Sequence, residues 1–108
     1  MAALATQVIT VAGLTPTFVA AAAGGDTAPV GDREFLVVQN GSGAPVTVTL
    51  ATPGNLATGD AYPDKAYSVA AGAETWIPLP AVYRDPTDGR AHITYSAAAS
   101  VTVAVVRR

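Results

Sequence analysis

The sequence predicts an all-β fold: an antiparallel β-sandwich, Ig-like or jelly-roll-like, of about seven to eight short strands. Three observations carry this expectation. Apolar and polar residues alternate in Val46-Thr47-Val48-Thr49-Leu50 and again in Val101-Thr102-Val103-Ala104-Val105, the period of a strand with one buried face. Turn signals built from Gly, Pro, Asn and Asp recur at roughly the 8–12-residue spacing of sandwich proteins. No long segment has a convincing helical period. A sheet with one apolar face must bury it, and a second sheet is the partner this chain offers. With 108 residues, we expect one domain over 1–108, with residues 1–16 readable as an N-terminal arm.

Taken in order, Thr6–Val11 reads as a strand whose Val8 and Ile9 fall on opposite faces. Residues 16–24 admit two readings. Thr15 as N-cap, Pro16 at the first helical position and Gly24 past the end describe a helix. Pro16 followed by Thr17-Phe18-Val19 describes an extended segment, which we favour because so short a helix gains little without a packed face. Phe35–Val38 is apolar on both faces and predicts a central strand. Asn40-Gly41-Ser42-Gly43 tolerates positive φ and predicts a hairpin from Phe35–Gln39 onto Val46–Leu50. Pro45, lacking an amide donor, belongs at the start of that strand. Ala71-Gly72-Ala73 predicts a second hairpin, joining Ala66–Ala70 to Glu74–Leu79, and Ser96–Ser100 a third, between His92–Ser96 and Val101–Val105. Asp85-Pro86-Thr87-Asp88-Gly89 is a strong turn inside the link Pro80–Arg90, and Thr52–Lys65 is the longest link. The expected core is Phe35, Val37, Val46, Val48, Leu50, Val69, Ile77, Leu79, Ile93, Tyr95, Val101, Val103 and Val105.

Composition narrows the function classes. Charged residues are 13% of the chain, against about 25% in average soluble domains. The surface must therefore be built largely from Thr, Ser, Ala, Gly and Asn, which suits a protein partly covered by another. Net charge is −2, with no basic patch to release counterions from a phosphate backbone, so no nucleic-acid partner is expected. Cysteine is absent, which removes disulfides, thiolate metal sites and thiol catalysis and leans towards assembly in a reducing cytoplasm. The opening MAALATQVIT lacks the basic n-region of a signal peptide. The apolar run Phe18–Ala23 is far shorter than the ~20 residues that span a bilayer, so no membrane partner is expected.

Reactive side chains are sparse. His92 is the single histidine, with neither nucleophile nor carboxylate at a recognisable spacing, and reads as a surface strand residue. Asp60 with Asp64, and Asp85 with Asp88, fall short of the ligand set of a calcium loop. No dinucleotide or phosphate-binding glycine motif opens a helix. No catalytic, cofactor-binding or metal residues are expected, and the chain does not read as an enzyme. Trp76, Tyr62, Tyr67 and Tyr83 are candidates for an aromatic platform, although Trp76 alternates with Ile77 on a strand. Interface candidates are Leu4, Gln7, Ile9, Val11 and Leu14 in the N-terminal segment, whose strand edge invites pairing. Tyr83 and Arg84 join them, being residue types favoured at interface hot spots.

Four phrases, GLTPTFVAAAAGGD, REFLVVQNGSGAPVTVTLATPG, SVAAGAETWIPLP and HITYSAAASVTVAVVR, resemble in order a family of small virion proteins of tailed phages infecting actinobacteria. The most telling are the Asn-Gly turn before VTVTL and the closing strand pair. Such proteins are similar to capsid decoration, or cement, proteins. The resemblance implies a small β-rich domain on the outer capsid surface of the virion, assembled in the host cytoplasm. Its implied partners are the major capsid protein and itself, as a homotrimer clamping neighbouring capsid subunits where capsomers meet. It implies no catalytic residues and no cofactor. The alternative is an Ig-like carbohydrate-binding or adhesion module of a phage tail or bacterial surface.

Overall fold

The computed structural model describes residues 2–107. It contains ten strands: β1 (Ala2–Ala3), β2 (Thr6–Val8), β3 (Val19–Ala20), β4 (Asp26–Ala28), β5 (Glu34–Asn40), β6 (Val46–Leu50), β7 (Lys65–Val69), β8 (Glu74–Pro78), β9 (Ala91–Tyr95) and β10 (Val101–Arg107). One 3-10 turn, Ala81–Tyr83, interrupts the link between β8 and β9. The extended reading of residues 16–24 is the one observed, with β3 in its middle.

The strands form two sheets. Sheet one has the order β1-β4-β9-β6-β7; sheet two has β2-β10-β5-β8, with β3 also on β10. All pairings among β3–β10 are antiparallel. Since β5 lies along the whole of one edge of β10, both β2 and β3 must share the other. The orders β3-β10-β5-β8 and β4-β9-β6-β7 are those of a jelly roll, two Greek keys wrapped into a sandwich. Before it enters this pattern, the chain adds β1 in parallel to β4 and β2 in parallel to β10, changing sheets at Leu4 and Ala5.

Alternation correctly picks out β6 and β10, but the three expected hairpins are not formed. β5 and β6 lie in different sheets, as do β7 and β8, and β9 and β10. Within β3–β10, only β6 and β7 are both consecutive and paired, across the long link 51–64. The short polar segments are arches that carry the chain from one sheet to the other, roughly 10 Å away. Positive-φ residues allow the chain to reverse in either geometry, so the turn residues alone could not tell a hairpin from an arch.

The three arches meet at one end of the sandwich, around Asn40, which is buried. Its Nδ2 donates to the carbonyls of Ala44 (2.8 Å), Val69 (3.0 Å) and Ala70 (3.3 Å). Its Oδ1 accepts from the amide and hydroxyl of Ser42. Its backbone N–H donates to Ala73 and its carbonyl accepts from Gly72, while Gly41 N–H reaches Ser100. Buried backbone groups need partners, and one side chain supplies them for two arches at once. Nearby, Tyr95 donates to Asp26 Oδ2 at 2.6 Å. A Cβ at Gly25 (φ +96°) would lie 2.5 Å from the Ile93 carbonyl oxygen, so glycine alone lets β4 close against β9 there.

The core lies between the sheets and includes Leu36, Val38, Val46, Val48, Leu50, Val69, Ile77, Leu79, Ile93, Val101, Val103 and Val105. The expected core needs correcting on β5. Leu36 and Val38 face inward. Val37 is buried but outside the central cluster, and half-buried Phe35 meets Trp76 on the outer face at 6.3 Å between ring centres. A run apolar on both faces carries no period from which to read its inner side. Tyr95 is only partly buried, packed against the cluster.

Candidate functional site

Two surface features combine unsatisfied chemistry with defined geometry. The first is the N-terminal edge of sheet two. β2 lies beside Val105–Arg107 and β3 beside Thr102–Val103. Between them the chain leaves the body as a loop, residues 9–18. The Gln7 carboxamide closes its base: Nε2 donates to Thr17 O and Thr17 N–H donates to Oε1, both at 2.8 Å. A side chain here imitates the two-bond pairing of a peptide strand. The loop turns at Gly13, whose N–H donates to Thr10 O.

This edge is apolar and open. Val8 is 43% exposed, Ile9 38% and Val19 47%, and Val11 is fully exposed. Beside them runs a cleft of about 460 Å³, lined by Leu4, Gln7, Thr17, Val19, Val103 and Val105 among others. The local sequence explains the exposure. The Val8–Val11 stretch is apolar on both faces, and the edge of β10 covers only part of it. Of the seven interface candidates, Ile9, Val11 and Arg84 are exposed and Gln7 and Leu14 half-buried. Leu4 and Tyr83 belong to the core cluster. Leu4 is held from both sides, its N–H donating to Thr27 O and its carbonyl accepting from Arg90 Nη2. Tyr83 closes the 3-10 turn with its hydroxyl 3.1 Å from that of Tyr67. Burial and that contact push its phenol up to about 12.

The four aromatic candidates are not gathered into a platform. Tyr67 and Tyr83 meet through their hydroxyls. Trp76 stands exposed on sheet two, its Nε1 donating to Glu74 Oε2 at 3.0 Å. Tyr62 lies in the 51–64 link with an edge against Gly54.

The second feature is a cluster that sequence reasoning missed. Asp85 N–H donates to Arg90 O and Gly89 N–H to Asp85 O, so the link folds into a tight loop against the start of β9. His92 Nε2 then stands 3.0 Å from Asp88 Oδ2 and 3.7 Å from Asp85 Oδ2. The other oxygens are occupied: Asp85 Oδ1 accepts from Thr87 N–H and Asp88 Oδ1 from Arg90 N–H. The hydrogen bonds from Thr87, helped by His92, hold the Asp85 carboxyl below the usual carboxylate range. The expectation that His92 stands without a carboxylate is therefore corrected. Spacing hid the partner, because four residues along an extended strand span roughly 13 Å and only the loop closes that distance.

No protein-family model, curated protein or solved structure matches the chain.

Proposed function

We propose that this protein is a structural component of a phage virion that binds the outer surface of the capsid and stabilises the shell. The observation that carries the reading is the apolar N-terminal edge, where Val8, Ile9, Val11 and Val19 stand exposed beside an apolar cleft. Val11 in particular projects from a loop whose base is fixed by Gln7. That arrangement suits insertion into a partner more than solvation, and Val19 carries the exposed apolar surface into the cleft itself. The resemblance of the four sequence phrases to decoration proteins supplies the class of partner, a major capsid subunit, and the homotrimeric state. The jelly roll is compatible with this role, as it occurs in capsid domains, but it also builds lectins and cupins and is support by analogy only. An interface repeated over a shell needs little affinity per copy, because simultaneous engagement multiplies it.

Quantitative mass spectrometry of purified heads tests the reading. The expected result is a copy number near that of the capsomers or of their junctions. Absence of the chain from heads would overturn it.

A further inference from the structure

We propose that Asp85, Asp88 and His92 form a binding site for a first-row divalent cation, of which Zn²⁺ and Mn²⁺ are the probes of choice. Each of the three residues brings one potential ligand atom to within 4.8 Å of the other two. Ligand pairs around an ion with bond lengths of about 2.1 Å are separated by about 3.0 Å in octahedral and about 3.4 Å in tetrahedral geometry. The observed 3.0 and 3.7 Å from the imidazole to the two carboxylates bracket those values.

The charge balance is independent of that geometry. Among the described residues, His92 is the one basic group in ion-pair range of either carboxylate. Of the two arginines that flank the loop, Arg84 and Arg90, neither is in ion-pair range of these carboxylates, and Arg90 sends its guanidinium away, to Thr27 and the Leu4 carbonyl. Two carboxylates therefore face one imidazole nitrogen with no fixed positive charge between them, and a bound cation supplies it. The donor set chooses the class of ion. One imidazole and two carboxylates suit borderline metals, whereas Ca²⁺ asks for six or more oxygens. The three side chains are partly exposed, so water fills the remaining positions. Bound there, the ion clasps the 85–90 loop to β9.

The test uses the full chain without an affinity tag, titrated calorimetrically with ZnCl₂ and separately with MnCl₂. We expect saturable binding of one ion per chain, a Tm that rises with ion concentration by mass action, and Mn²⁺ broadening of amide resonances that is strongest around 85–93 and on the strand neighbours of His92, Thr27 and Ala51. His92→Ala and Asp88→Asn should each weaken binding by roughly tenfold or more, with circular dichroism confirming that both fold. Glu74→Gln, on β8 in the opposite sheet, should bind as the parent does. The competing occupant of the same space is a proton on His92. Failure of both ions to bind saturably at millimolar concentration, or binding unchanged in His92→Ala, would show that the cluster is a hydrogen-bonded pair and overturn the site.

Discussion

At the scale of single residues, Asn40 carries more of the fold than its size suggests. Its removal strands carbonyls of two arches in a buried place, and each unsatisfied buried group costs about 1–3 kcal/mol. We expect Asn40→Ala to lower unfolding free energy by about 2–4 kcal/mol, read from urea denaturation. A loss within error would mean that water replaces the amide. The tyrosines make a second prediction. Tyr83 is pushed up to about 12 and Tyr95 up as well, both chiefly by burial, while in the unfolded chain a tyrosine ionises near 10.0. A raised folded pKa means that the native state keeps protons the unfolded state has lost. The stabilisation is complete below about pH 10 and drains away as pH climbs through the folded values. Urea midpoints followed from about pH 8 to about pH 11 should fall at the alkaline end, and Tyr83→Phe should flatten that fall. An identical slope in the variant would remove Tyr83 from the explanation. Asn40 was legible as a turn residue but not as a hub, because its partners lie 29 and 30 positions away. His92 was likewise legible only as a lone group, since its carboxylates arrive through a loop closure that no spacing rule encodes.

Among the elements, the strands were read well and their connections poorly, for a physical reason. Alternation is a local property, set by which face of a strand meets the core, and β6 and β10 display it in sequence. Whether a turn returns the chain to the same sheet or lifts it to the opposite one depends on where all the other strands sit. The N-terminal segment divides in a similar way. Its residues 1–16 are readable as an N-terminal arm and Thr6–Val11 as a strand; β1 and β2 are each paired in a sheet and Leu4 between them is core. The loop that follows is the projecting part. Replacing residues 10–16 with a short glycine-serine bridge should therefore leave a folded protein, whereas deleting residues 2–8 should reduce stability by several kcal/mol, as loss of a buried leucine alone costs about 2–5 kcal/mol. Thermal unfolding of the two variants checks this, and equal Tm values would mean that β1 and β2 contribute nothing.

For the whole molecule, the described residues make a thinly charged sandwich with an apolar edge and a loop held out by a side-chain clamp. The capsid proposal rests on that edge and on resemblance, and the cation site is separate from it in both residues and test. One further property follows from the place of β10. The strand last in chain order fills the middle of sheet two, receiving β5 on one side and both β2 and β3 on the other. During synthesis the ribosome therefore delivers the keystone after every strand that leans on it. Until β10 emerges, β2 and β3 have no partner along that edge, and the apolar residues of the N-terminal loop wait uncommitted. The edge of sheet two that holds β2 and β3 can consequently close only once β10 has been made, whereas sheet one pairs without it.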